Sequence, residues 1–320
     1  MYKKPVGVIG GGMIGASMAC LFAGNGVPVT LVEQEPFLPK AKANCDTVFV
    51  DLIDHDLMTE EQRRITETYI TITADYNALA DVEFIFECVF ERTDVKHAVY
   101  RQLEPICRNL KAIASSTSAI SADELAGGFT DPEMAKLLVV AHPWNPPHLA
   151  PCVEIVKSQI VADSAVEFVD TFLTDLGKKV VVMLKNIPGF IGNRLQYAML
   201  REAIHMVEEG AATPEMIDET LKYSFAPRYT SIGIFEHFDN CGQDLTRDIC
   251  EYLFPDLCDA KTPQKSVADN CAKGHLGVKS GKGMLDWDGV DINAFRSRAA
   301  QPYYRFCEWK FPTEPKGVSD

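Results

Sequence analysis

Val6-Gly7-Val8-Ile9-Gly10-Gly11-Gly12-Met13-Ile14-Gly15 decides the fold of this chain. A β-rich run ends in Gly10-x-Gly12-x-x-Gly15, and a helical stretch over residues 13–23 follows at once. Each glycine in such a turn has its own task. Gly10 allows the tight turn, Gly12 lets the backbone approach a pyrophosphate, and Gly15 lets the helix pack closely on the strand. The helix N-terminus, at Met13 and Ile14, then faces the phosphates of a dinucleotide. Glu33 ends the next β-rich run, eighteen residues after Gly15. A carboxylate there binds a ribose 2′-hydroxyl and repels a 2′-phosphate, so the pattern predicts NAD rather than NADP. The plain alternative is a tight glycine turn that binds nothing, and the strand–turn–helix context with the acid argues against it.

Outward from this turn, short β-rich runs alternate with helical stretches. Strands are expected at 27–33, 69–73, 82–89, 112–115, 137–141, 153–156 and 180–182, and helices at 37–53, 59–66 and 94–107. That alternation predicts a parallel, doubly wound sheet. The pattern changes after Pro188-Gly189. One long helix is expected over 190–209, with Leu195, Ala198, Met199, Ala203, Met206 and Val207 at helical spacing and Gly210 closing it. Thr213-Pro214 starts another, and further helices are expected near 232–238 and 245–253. The fold class is therefore α/β: an N-terminal Rossmann-type doubly wound sheet over 1–187 and an all-α C-terminal domain over 188–320.

The composition excludes several function classes. With 47% hydrophobic and 24% charged residues, the 320-residue chain reads as a soluble globular protein. A formal net charge of −14 disfavours nucleic acid or an anionic membrane as partner. No run approaches the ~18 apolar residues of a membrane span. Lys3 and Lys4 lead straight into the first strand, so no signal peptide is expected. The ten cysteines form no Cys-x-x-Cys pair and no cluster at zinc spacing. They read as free thiols in a reducing cytoplasm, Cys20, Cys88 and Cys107 as small buried residues, and no metal is expected.

The candidate chemistry lies at the strand ends. His142 ends the 137–141 run, and Glu154 lies twelve residues on, in the next strand. A carboxylate so placed holds an imidazole in one tautomer and raises its basicity. An ordinary strand-edge acid is the bland alternative for Glu154. His148, between Pro147 and Leu149, is expected to face solvent. Ser115-Ser116-Thr117-Ser118 ends another strand at the same sheet edge. Ser/Thr runs often only cap a helix, but Ser121 with Glu124 suits that task and leaves Ser118 free. Asn193 falls in the first turn of the long helix. Glu91 and Lys96, after the 82–89 strand, read either as a surface ion pair or as a cofactor contact.

Together these landmarks resemble the 3-hydroxyacyl-CoA dehydrogenase family, from Val6 to about Trp287. Glu87-Cys88-Val89-Phe90-Glu91, Pro188 to Arg194 and Gly277-Val278-Lys279-Ser280-Gly281-Lys282-Gly283 complete the set. The resemblance implies His142 as catalytic base, Glu154 as its partner, and Ser118 and Asn193 as donors to the reacting oxygen. It implies that Glu91 and Lys96 contact the nicotinamide side of NAD, and that the helical domain forms a homodimer. Pro143 and Trp144 stand where acyl-CoA members carry two aromatic residues. That feature, with Asn193-Arg194-Leu195-Gln196-Tyr197 and Val207-Glu208-Glu209-Gly210, is closer to the branch of lambda-crystallin, L-gulonate 3-dehydrogenase and L-carnitine dehydrogenase.

The region after the second strand is short and acidic (Asp46, Asp51, Asp54, Asp56, Glu60, Glu61), a poor seat for coenzyme A phosphates. A small free 3-hydroxy acid is therefore expected, with a short acyl-CoA as the alternative and a non-catalytic crystallin-like NAD-binding protein as the rival of another class. Trp144 and Asn145 are placed beside the substrate. Trp144, Phe225, Tyr229 and Phe235 suit either a quaternary ammonium group or core and dimer contacts. Arg194 or Arg228 is a candidate receiver of a substrate carboxylate.

Overall fold

The computed structural model describes residues 2–317. In chain order its first half carries β1 (Val6–Ile9), α1 (Met13–Gly24), β2 (Val29–Val32), α2 (Leu38–Asp54), α3 (Glu60–Glu67), β3 (Ile70–Thr73), β4 (Phe84–Glu87), α4 (Thr93–Leu103) and β5 (Ala112–Ser115). Then come α5 (Ala122–Ala126), α6 (Pro132–Ala135), β6 (Leu138–Pro143), β7 (Cys152–Val156), α7 (Asp163–Asp175) and β8 (Lys179–Val182). The strands form one sheet in the order β3-β2-β1-β4-β5-β6-β7-β8. Its first six positions follow the 3-2-1-4-5-6 order of dinucleotide-binding folds.

The sheet is parallel except where β6 meets β7, which pair antiparallel. This departs from the all-parallel expectation. Only residues 144–151 join the two strands, too short a span for a crossover of a dozen or more residues, so the chain turns back on itself. β7 and β8 are again parallel, joined through α7.

Both sheet faces are covered, as near-continuous apolar strands require. Val8, Leu31, Phe84, Phe86, Ala114 and Ile155 look into one core with α1, α2 and α7. Ile9, Val32, Ile85, Ile113 and Val140 look into the other, with α4 and α5. Helix α1 is buried over every residue from Gly15 to Gly24, as befits a helix that is apolar all round. Ser121 caps α5, accepting from the Glu124 backbone at 3.1 Å.

The second half is helical: α8 (Gly192–Glu208), α9 (Pro214–Tyr223), α10 (Ile234–Cys241), α11 (Gln243–Leu253), α12 (Lys265–Ala272) and α13 (Ile292–Tyr304). Thr213 caps α9 with Pro214 in its first turn. The described chain divides into two compact units, residues 192–296 and residues 2–191 with 297–317. Residues 297–317 thus pack with the first unit and not with the helical one, a correction to the expected helical domain over 188–320. Ala300, Tyr303, Tyr304, Cys307, Trp309 and Phe311 pack against the first unit's core, and a composition-based boundary does not show such a return.

All ten cysteines are free. Burial pushes the Cys107 thiol up to about 11 and the Cys88 thiol to about 12. No described helix is long and apolar enough to cross a membrane, and no His/Cys/Asp/Glu group among the described residues is arranged to hold a metal ion.

Candidate active site

The glycine turn is shaped by three different constraints. Gly10 has φ +95°, and a Cβ there would lie 2.7 Å from the Cys88 carbonyl oxygen. A Cβ on Gly15 would lie 1.8 Å from the Gly10 oxygen. A Cβ on Gly12 would meet nothing within 4 Å, so this backbone opens onto free space. That space is a cleft of about 410 Å³ lined by Gly10, Gly12, Met13, Ile14, Glu33 and Phe90 among others. The bare backbone at Gly12 and the start of α1 form a cradle that fits a pyrophosphate. Gly11 was not singled out by the sequence, yet a Cβ there would lie 2.3 Å from that of Ala41.

At the end of β2, Glu33 accepts from the Gly11 N–H at 2.8 Å and from the Gln34 N–H at 2.6 Å. Its carboxylate is thereby fixed at the cleft wall. Asn44 from α2 donates to the Gly11 carbonyl at 2.8 Å, tying the turn to the next helix.

The end of β4 carries a buried charge network. Lys96 and Glu87 are both fully buried and paired at 2.8 Å. Glu87 also accepts from the Tyr100 hydroxyl (2.9 Å), the Ser115 hydroxyl (2.7 Å) and the Val89 N–H (2.8 Å). Glu91 lies 3.6 Å from Lys96 and accepts from the Thr117 hydroxyl (2.6 Å) and the backbone of Ser118 (2.8 Å) and Ala119 (3.0 Å). Burial alone would raise the Glu91 carboxyl, but these donors and Lys96 hold it below its usual range. Lys96 is thus neither a surface residue nor at the cleft wall, and its partner is Glu87, which the sequence marks as part of a landmark but not as a partner of Lys96. Glu91 fixes the turn that carries Ser118. Ser118 is exposed, and its hydroxyl has no partner among the described residues.

His142 and Glu154 are directly opposed across the β6–β7 ladder. Their side chains meet at 3.1 Å, Nδ1 to Oε2, with His142 7% and Glu154 2% exposed. The Trp144 indole donates to the same oxygen at 3.3 Å. The Ile191 N–H donates to the other, Oε1, at 2.9 Å. The rings of Trp144 and Phe190 meet the imidazole edge-on, at 6.0 and 5.5 Å between centroids. Phe190 has φ +52° and follows Gly189 at φ +78°. A left-handed phenylalanine is an uncommon and costly conformation. Here it puts its ring on the histidine and the next N–H on the glutamate.

Trp144 therefore belongs to the hydrogen-bonded group around Glu154, a contact its sequence position does not reveal. Asn145 is exposed on the same loop. His148 is buried, against expectation: its ring lies 3.3 Å from the Ser17 hydroxyl and 3.4 Å from Asp51. In the second unit, Asn193 sits half-buried in the first turn of α8, and Arg194 follows it, exposed. Arg228 is exposed in a 3₁₀ turn with its guanidinium 3.2 Å from the His237 ring.

Residues 5–187 match the 3-hydroxyacyl-CoA dehydrogenase NAD binding domain, and residues 189–287 match the C-terminal domain of the same enzymes. The chain belongs to the 3-hydroxyacyl-CoA dehydrogenase family. It is an NAD-dependent oxidoreductase acting on a secondary hydroxyl.

Members similar to it include L-carnitine dehydrogenase of Oceanobacillus iheyensis, 33% identical with 79% of this chain and 81% of that one covered. Lambda-crystallin of Oryctolagus cuniculus is 33% identical over 72% of each. Both support the branch expected from the sequence. A 5-formyl-3-hydroxy-2-methylpyridine 4-carboxylate 5-dehydrogenase of Mesorhizobium japonicum is 26% identical over 93% of this chain and 95% of its own. A solved structure of an enzyme of that name, described as an NAD+-dependent dismutase, superposes with TM-score 0.84 at 25% identity, covering 95% and 97%. The residues named on the glycine cleft all fall within the matched NAD binding domain. The family matches end at residue 287, so residues 288–317 lie beyond them.

Proposed function

We propose that this family member oxidises the 3-hydroxyl of a small hydroxy acid, L-carnitine- or L-gulonate-like, to the ketone, with His142 as the base. The observation that carries this reading is the His142–Glu154 pair. The glutamate is fixed on both oxygens, by Trp144 and Ile191, so it accepts the Nδ1 proton of His142 and leaves Nε2 as the acceptor. NAD in the cleft supplies a hydride acceptor.

The chain's own residues do the rest. Nε2 of His142 takes the hydroxyl proton, and Glu154 stabilises the imidazolium that results. Ser118 and Asn193 donate to the reacting oxygen. Glu33 receives the adenosine ribose, and Gly10, Gly12, Met13, Ile14 and Gly15 form the phosphate cradle. Glu91 and Lys96 act on the nicotinamide end by fixing the turn between β5 and α5. In the reverse direction His142 returns the proton.

A free acid is favoured over an acyl-CoA by the acidity of α2 and α3. That acidity is partly internal: Asp46 pairs with Arg63 at 2.9 Å, and Asp51 accepts from Tyr304 at 2.7 Å. The remaining acids still disfavour a polyanion. Arg194 or Arg228 receives the substrate carboxylate, with Trp144 and Asn145 beside the substrate. The helical unit forms a homodimer, supported by the exposure of Leu195, Tyr197, Met199, Phe235, Leu245 and Phe254. The free thiols fit a cytoplasmic setting.

A second reading is favoured by the near full-length match to the pyridine carboxylate dehydrogenase. It is oxidation of an aromatic aldehyde as its hydrate, whose hydroxyl gives its proton to the same His142.

The test is NADH formation at pH ~9, where alkali draws off the proton that oxidation releases, with L-carnitine, L-gulonate, L-3-hydroxybutyryl-CoA and an aromatic aldehyde in parallel. Turnover of a free acid supports the first reading. Turnover of the thioester alone overturns it. Acid and alcohol formed together from the aldehyde, without net NADH, favour the second.

A further inference from the structure

Residues 297–317 lie beyond the family matches and fold back onto the first unit. We propose that this C-terminal strap is a positioning element for the His142–Glu154 pair, acting through the loop that joins their strands. The proposal rests on the reading of His142 as the base.

Two strap residues converge on one loop residue. The Trp309 indole donates to the carbonyl of His148 at 3.3 Å. The Tyr304 hydroxyl donates to Asp51 Oδ1 at 2.7 Å, and Asp51 Oδ2 lies 3.4 Å from Nε2 of the same His148. Tyr304 also stacks on His55, with centroids 3.9 Å apart. His148 is thus held by its main chain from Trp309 and by its ring through Tyr304 and Asp51. Lys178, buried beneath the loop, donates to the carbonyls of Pro147 (2.5 Å) and Ala150 (2.9 Å).

Helix α1 is shaped to receive the strap. A Cβ on Gly24 would lie 2.2 Å from the Trp309 ring, and the Asn25 side chain accepts from the Lys310 N–H at 3.1 Å. Simple coverage of α1 would account for the packing of Ala300, Tyr303 and Phe311 on the core. It does not account for two polar contacts that reach His148, one directly from Trp309 and one from Tyr304 through Asp51. The loop so held begins with Trp144, whose indole donates to the Glu154 oxygen that His142 uses. A slackened loop weakens that donation and leaves Glu154 a stronger acceptor for the imidazolium.

The experiment follows the ring titration of His142 by NMR in the full chain, its resonance assigned by loss in His142→Gln. Trp309→Phe keeps a ring and removes the N–H, and Tyr304→Phe removes only the hydroxyl. Each is expected to raise the His142 midpoint by about half a pH unit, the scale of one weakened hydrogen bond, with NAD affinity within about twofold of the parent. An unmoved midpoint in folded, NAD-binding variants overturns the proposal. Trp309→Ala would enlarge the shift; should it fail to fold, the two conservative variants decide. Turnover by His142→Gln would overturn the base reading alone, because the titration reads the strap independently of catalysis.

Discussion

The backbone N–H of Ile191 donates to Glu154 Oε1, the carboxylate oxygen that His142 leaves unused, at 2.9 Å. The carboxylate is therefore oriented from the chain that leads into α8 as well as from β6 and the loop after it. Glu154→Gln keeps the shape but offers an amide whose N–H₂ competes for the imidazole in the wrong tautomer. Its kcat is expected to fall by about 10²–10⁴-fold, with NAD affinity unchanged by fluorescence titration. A loss of less than about tenfold would remove Glu154 from the orienting role.

Trp144 separates two roles that its sequence position left open. If its task is the hydrogen bond to Glu154, Trp144→Phe lowers kcat by about 10–100-fold, the scale of one hydrogen bond to a charged group, and leaves KM nearly unchanged. If the ring instead borders the substrate, KM rises and kcat holds. Steady-state kinetics on the turned-over substrate decide between them.

The glycine turn gives a paired prediction. Gly12→Ala meets no atom within 4 Å, so the folded protein should keep its melting temperature while its NAD affinity falls by about tenfold or more, the new methyl lying where the backbone approaches the pyrophosphate. Gly15→Ala drives a Cβ to within 1.8 Å of the Gly10 oxygen and should unfold or strongly destabilise the chain before binding is at issue. Melting curves with and without NAD separate the two.

How much of this was legible follows from the range of each signal. The glycine turn, Glu33 and the strand–helix alternation are local patterns, and they place the sheet and the cleft. The pairing of His142 with Glu154 was readable because both lie on adjacent strands. The antiparallel turn of β7 could have been read from the short span after His142. The partners that complete the site come from far along the chain, or lie in motifs that do not say what they meet: Ile191 for Glu154, Asp51 for His148, Glu87 for Lys96. No local period reports them. The strap was missed because its aromatic residues carry no spacing that says which unit they cover.

The Lys96–Glu87 pair is fully buried, and its worth is tested by breaking it. Lys96→Met leaves Glu87 buried with hydroxyl and amide donors but no counter-charge, and is expected to cost about 3–5 kcal/mol. The double variant Lys96→Met/Glu87→Gln removes the orphaned charge and should recover part of that loss. Denaturant unfolding of the three proteins measures it. Equal stability of the single and double variants would show that Glu87 is not charged when unpaired.

Acid stability should report on Glu83, which links the start of β1 to the start of β5. Its carboxyl is lowered to about 2 by hydrogen bonds from Lys111 and then Lys4, against a smaller opposing effect of burial. The Lys111 ammonium lies 2.7 Å away, and the Tyr2 hydroxyl donates at 3.3 Å. A depressed carboxyl stabilises the fold fully above its unfolded value of 4.5 and loses that contribution as pH falls from there toward about 2. Lys111→Met removes the largest cause and brings the folded value back toward the unfolded one. The melting temperature of the parent should therefore fall more steeply than that of Lys111→Met between about pH 5 and 3. Parallel slopes would mean that the Lys4 contact alone holds the carboxylate.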